Sequence, residues 1–222
     1  MVFNGDKKFG KSILYYPETK FKNFLVPLVP KFIETYHLTY TTILWCIGVL
    51  IFSYLAKYNI QYLWLVSLML VLQYITDLLD GEIGRRRNTG LIKWGFYMDH
   101  LLDFVFLGCL LIGYSVLLPD NLKYMQLYIM VLFGSFMVNS FLSFAATNEF
   151  KIAHLGIGPT ELRLVFILVN TLIIIYGQTH LAVLLPYLLI FSLLGLCVTV
   201  YTTQKKIWAI DMKNIEKTIK KK

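Results

Sequence analysis

The sequence predicts an all-α integral membrane protein: a six-transmembrane-helix bundle with an N-terminal interfacial amphipathic segment and both termini cytoplasmic. Three observations carry this expectation. Apolar residues make up 57% of the chain and charged residues 15%, with a mean hydropathy of +0.63, which is too apolar for a water-soluble domain of ordinary composition. Six apolar runs, at about 38–57, 60–80, 94–118, 124–147, 160–177 and 181–203, are each near the roughly 20 residues that a helix needs to cross about 30 Å of hydrocarbon. The basic residues, finally, are divided very unevenly between the loops.

The elements follow in chain order. Residues 1–37 form a cytoplasmic and interfacial segment with no apolar run before Phe24 of signal-peptide length, so the first span is expected to insert and stay. From Glu18 to Phe32, Lys20, Lys22 and Lys31 alternate with Phe21, Phe24, Leu25 and Val26, and Pro27 and Pro30 interrupt any helix. This mixture suits the membrane interface, or else an ordinary tail leading into the first span. Residues 38–203 hold the six runs. They are continuous rather than alternating, so helices and not a barrel must satisfy the backbone in lipid. Of the 21 Lys and Arg residues, only Lys57 and Lys123 fall in loops on one side, whereas the termini and the loops after the second and fourth runs hold the rest. The positive-inside rule puts that richer side in the cytoplasm. Residues 204–222 are a basic cytoplasmic tail, expected to form a cationic helix that is solvated or touches lipid, and the whole chain reads as a single membrane-embedded domain. The formal net charge of +8 lies beside apolar segments, which favours anionic lipid head groups over nucleic acid as the polyanion met. Cys46, Cys109 and Cys197 sit within apolar runs without ligand-like spacing and are expected to be buried thiols.

The chemistry is concentrated between Asp77 and Asp103. Asp77 and Asp80, three residues apart near the end of the second run, share a helix face, as do Asp99 and Asp103, four apart near the start of the third. Two antiparallel helices joined by one loop can bring these faces together. A carboxylate in a spanning helix costs about 2.5–3.5 kcal/mol at the bilayer centre and less toward the interface, so four of them demand compensating charge. Arg85, Arg86 and Arg87 supply part of it. A hard divalent cation suits an all-oxygen cluster without cysteine, which points to Mg²⁺ or Mn²⁺. Gly81 can end the helix in a left-handed turn or admit a ligand to the backbone, and Gly95, one turn before Asp99, permits close packing or substrate entry.

These residues resemble the signature of the CDP-alcohol phosphotransferases, Asp-x2-Asp-Gly-x2-Ala-Arg followed after eight or nine residues by Gly-x3-Asp-x3-Asp. Asp77, Asp80, Gly81, Arg85, Gly95, Asp99 and Asp103 match it, and Gly84 stands where the family usually has Ala. The resemblance implies that Asp77, Asp80 and Asp99 hold two metal ions and that Asp103 joins the metal centre as general base. It implies as well that Asp80, Gly81, Gly84 and Arg85 contact the cytidine nucleotide and its phosphates, and that the protein is a homodimer. The activity it implies is transfer of a phosphoalcohol group from a CDP-alcohol donor to an alcohol acceptor, with CMP released. In one version CDP-diacylglycerol donates to a small polar alcohol; in the other CDP-choline or CDP-ethanolamine donates to diacylglycerol. The short six-span chain leans to the first. Gly158-Pro159-Thr160-Glu161 keeps the second open.

Glu161 and Arg163, at the start of the fifth run, are candidates for binding acceptor or phosphate. The structural alternative has Thr160 capping that helix with Glu161 in its first turn. Helix-start capping is the expected role of Thr39, Thr41 and Thr42, although the resemblance also implies polar residues near the nucleotide there; bonding between helices, ahead of lining an acceptor pocket, is expected of Asn139, Ser140 and Ser143, and a bond to a neighbour of His100. Membrane aromatic prenyltransferases also hold metal-pyrophosphate with aspartates, but on well-separated segments of a larger bundle. A cation channel or transporter would need polar residues continuing through the bilayer, and the other spans offer little beyond Asn139 and Asn170.

Overall fold

The computed structural model describes residues 8–9, 14–87, 91–151 and 158–220. Lys7, Lys11, Lys221 and Lys222, four of the lysines behind the expected orientation, lie outside them. The described residues form α1 (Tyr15–Leu25), α2 (Thr35–Ala56), α3 (Leu63–Arg87), α4 (Ile92–Leu117), α5 (Lys123–Thr147), α6 (Pro159–Tyr176) and α7 (Thr179–Ile219). Six helices are long and apolar enough to cross a membrane, in agreement with the six runs. One short parallel pairing, Lys8–Phe9 with Phe150–Lys151, joins the N-terminal segment to the end of α5.

Several boundaries differ from expectation, each for a local reason. α2 begins at Thr35, and the His37 ring reaches back so that its Nδ1 accepts the Glu34 N–H at 3.0 Å. The threonines at 39, 41 and 42 therefore stand inside the helix and do not cap it. α3 runs through Gly81 and Gly84 to Arg87. Among the described residues only Asn148 and Gly177 have positive φ, so Gly81 is not a left-handed terminus. Asp77 and Asp80 consequently lie two turns or more before the helix end, which Arg85, Arg86 and Arg87 occupy as favourable charges. The basic tail is not separate from the sixth span: α7 is one 41-residue helix. No glycine or proline interrupts residues 196–219, and Lys, Ile, Glu and Met there are compatible with a continued helix.

α2, α3 and α4 form the centre. Their spanning windows are 33–39% buried, against 11% for those of α5 and α7, most of whose residues are not enclosed. Val49, Leu63, Val66, Leu70 and Leu110 are almost fully enclosed at this centre. Asn170, fully buried on α6, is satisfied at both ends: Tyr114 Oη donates to its Oδ1 at 2.7 Å, and its Nδ2 donates to Ser67 Oγ at 3.0 Å. Three helices are thereby tied in a region where unpaired polar atoms are costly. Asn139 likewise donates to Thr203 at 3.4 Å between α5 and α7. Cys46 is buried, but Cys197 is exposed on the outward face of α7, contrary to the expected burial of all three thiols.

α2 and α4 pack tightly at Gly113, where an added Cβ would collide with the Oγ and Cβ of Ser53. Replacing Gly113 by Val is expected to overpack this contact and to destabilise the fold by about 1–3 kcal/mol. Thermal unfolding in detergent should show a lower midpoint for Gly113→Val and none for Gly108→Val, since nothing lies within 4 Å of a Cβ at Gly108.

Candidate active site

The site grows from the face of α3 that turns toward α4 and α6. Leu70, Gln73, Asp77 and Asp80 recur on it at helical spacing. α4 returns antiparallel after a short loop and presents Asp99 and Asp103. One carboxylate oxygen from each of Asp77, Asp99 and Asp103 lies within 4.8 Å of the others, so the two sequence pairs do converge. Asp80 stands outside this trio and is only 5% exposed, its Oδ2 accepting a hydrogen bond from the hydroxyl of Thr39 on α2. Thr39, itself buried, thus holds a site carboxylate. Thr39 and Asp80 are 41 residues apart, and nothing in the local pattern of α2 announced the contact.

Among the described residues, the cation paired with this cluster is Arg163 from α6. Its Nη2 donates to Asp77 Oδ2 at 2.8 Å and lies 3.4 Å from Asp103 Oδ1. The guanidinium is also 5.9 Å from the centre of the Tyr74 ring, close enough for a cation–π contribution. Glu161 has the other role. Its Oε2 accepts the Gly158 N–H at 2.9 Å and its Oε1 the Leu14 N–H at 3.1 Å. It therefore closes the N-terminus of α6, whose N-cap is Gly158 and not Thr160, and so fixes the turn that carries Arg163. Gln73, not singled out from sequence, donates from Nε2 to Asp103 Oδ1 at 3.1 Å. His100 Nδ1 is 2.7 Å from the Phe96 carbonyl and its ring packs among Phe96 and Phe150, as expected for a residue bonded to neighbours.

The cytoplasmic end of α3 carries the residues linked by resemblance to the nucleotide. Arg85 is exposed and donates to Glu82 at 2.9 Å, and among the described residues it makes no hydrogen bond or ion pair with an aspartate. Glu82 also pairs with Lys22 and Arg86, which docks α1 beside this helix end. Arg87 is committed elsewhere, donating to the carbonyls of Val29, Pro30, Lys31 and Ile33. The departure at Gly84 has a local counterpart: a Cβ there would lie 3.0 Å from Thr35 Oγ1, so the threonine occupies the space an alanine methyl would use. Nothing lies within 4 Å of a Cβ at Gly95, which is therefore open space rather than a helix contact.

Beside the carboxylates a cavity of about 410 Å³ opens between α3, α4, α5, α6 and α7. Asp103 and Arg163 face into it among Phe106, Leu107, Phe133 and Phe166. The donor set of three clustered carboxylates fits a hard divalent cation, and the cavity fits an apolar chain. The family model for CDP-alcohol phosphatidyltransferase matches residues 35–209. The chain belongs to that family. No curated protein and no solved structure matches it. The match begins at the first residue of α2 and ends within α7, so it takes in every span and the whole acidic cluster while leaving α1 outside. Members are transferases of phosphoalcohol groups that use divalent metals, and six apolar spans agree with a multi-pass membrane enzyme of this family.

Proposed function

We propose that the protein transfers the phosphatidyl group of CDP-diacylglycerol to an acceptor hydroxyl and releases CMP. The observation that carries this reading is the meeting of Asp77, Asp99 and Asp103 beside an apolar cavity in a chain of this family. Asp77, Asp80 and Asp99 would hold two Mg²⁺ or Mn²⁺ ions, with Asp103 also at that centre. Bound there, the ions supply positive charge to the pyrophosphate and to the departing CMP.

The chain's own residues supply the rest. Asp103 takes the proton of the acceptor hydroxyl while that oxygen forms a bond to the distal phosphorus, and the bond from this phosphorus to the CMP oxygen breaks. Gly81 leaves the backbone of α3 accessible to the nucleotide, with Gly84 about one turn further along the same helix end. Arg85, exposed at the same end, exchanges Glu82 for phosphate. Arg163 faces the cavity where acceptor or phosphate lies, Glu161 holds the turn that aims it, and Gly95 leaves room for entry. In this reading both termini and the active site face the cytoplasm, α1 lies at the interface, and the enzyme works as a homodimer among anionic lipids.

The apolar lining next to Asp103 also favours a second reading, in which diacylglycerol is the acceptor and CDP-choline or CDP-ethanolamine the donor, because the base must adjoin the acceptor. Purified protein with Mg²⁺ or Mn²⁺ is expected to release CMP from CDP-diacylglycerol in the presence of a polar alcohol and to stop when the metal is chelated. CMP release only from CDP-choline or CDP-ethanolamine with diacylglycerol would transfer the conclusion to the second reading. Release from none of the donors would end both.

A further inference from the structure

We infer that Gln73 is a positioning residue for Asp103, an inference that rests on the reading of Asp103 as the base. Gln73 is 1% exposed and lies one turn deeper along α3 than Asp77, on the same face. Its Nε2 donates to Asp103 Oδ1 at 3.1 Å. The donor end of the amide must be the one that faces the carboxylate, because two oxygens at that separation would repel. Arg163 Nη2 lies 3.4 Å from the same oxygen. Asp103 is thus gripped at Oδ1 from two helices, α3 and α6, which fixes the plane of its carboxyl group relative to the cavity.

A polar side chain inside a membrane bundle commonly serves as an interhelical link, and this chain shows what such a link looks like. Asn170 has both ends of its amide satisfied, by Tyr114 and Ser67. Gln73 differs. Its Oε1 is sealed from solvent and has no hydrogen-bond partner among the described residues. Leaving a buried acceptor unpaired is unfavourable, so methionine at this position, similar in shape and wholly apolar, would serve the bundle at least as well. What methionine would remove is the bond to Asp103. A residue whose one satisfied end grips the proposed base, and whose other end is retained against the interest of stability, is placed for catalysis and not for folding.

The test compares wild type with Gln73→Met and Gln73→Asn, the second keeping an amide on a chain too short to reach. CMP release, the KM for donor and acceptor, the melting temperature and its Mg²⁺-dependent increase are measured on each full-length protein. A mispositioned base lowers turnover without weakening substrate binding, so kcat is expected to fall about 10- to 100-fold in both variants. Both KM values should stay within about twofold, the Mg²⁺-dependent increase should persist, and Gln73→Met should melt at or above the wild-type temperature. A kcat within about threefold of wild type would overturn the inference, and so would a loss of kcat accompanied by a lower melting temperature or a raised KM, which marks a structural role. Absence of CMP release from the wild type would instead remove the proposed function, and this inference with it.

Discussion

Replacing Asp103 by asparagine is expected to slow CMP release by about 10²–10⁴-fold, the range associated with losing a positioned general base. The substitution is a sharp one because it changes so little else. The asparagine carbonyl can still accept from Gln73 Nε2 and from Arg163 Nη2, both of which approach Oδ1 of Asp103. The side chain also keeps its volume beside the cavity. What disappears is the negative charge and the ability to take a proton. In the proposed reading the nucleotide binds at the far end of α3, where Gly81 and Arg85 lie, so CDP-alcohol affinity measured by equilibrium binding should be largely preserved. Turnover within tenfold of wild type would remove Asp103 from the role of base and leave it as one carboxylate among several. Asp103→Ala is the less informative variant, since it strips Gln73 of its bond to Asp103 and mixes a folding defect with the chemical one.

The centre of this site could be read from the chain because its residues lie within two helical turns of each other on two neighbouring helices. Spacings of three and four residues place Asp77 with Asp80 and Asp99 with Asp103, and a short connection forces the two faces together. The same local logic fails wherever the partner is distant in sequence. Arg163 reaches Asp77 across 86 residues and Thr39 reaches Asp80 across 41. In each case the pattern around the residue is that of an ordinary helix start, which is why capping was the natural expectation for Thr39, and why substrate contact and capping were equally open for Glu161 and Arg163. Gln73 carried no signal at all, being one amide in an apolar run. The helix ends misled for a related reason: glycine weakens a helix only slightly, and tertiary packing carries α3 past Gly81 and Gly84 to the arginines. Six spans were legible because hydropathy over 20 residues is a sum, insensitive to any single position.

Arg163→Gln is expected to change the protein most when metal is absent. Three carboxylates with oxygens within 4.8 Å of one another repel in a region of low dielectric, and Arg163 supplies a positive charge to two of them from a side chain only 11% exposed. Removing one partner of a buried ion pair costs about 3–5 kcal/mol. The loss here should be smaller, since the side chains of Asp77 and Asp103 retain 23% and 27% exposure and water can screen them. For a chain of this size even half that amount lowers the melting temperature by roughly 5 °C. A divalent cation bound to the same carboxylates would take over the neutralisation. Saturating Mg²⁺ should therefore recover much of the deficit, so that the metal-dependent rise in melting temperature is larger for Arg163→Gln than for wild type. Competition for Asp77 and Asp103 has a second consequence: glutamine at 163 should tighten Mn²⁺ binding several-fold when it is measured directly, independently of turnover. Equal melting deficits with and without metal, together with unchanged Mn²⁺ affinity, would mean that the guanidinium and the cation do not share these oxygens, and that Arg163 belongs to the cavity rather than to the acidic cluster.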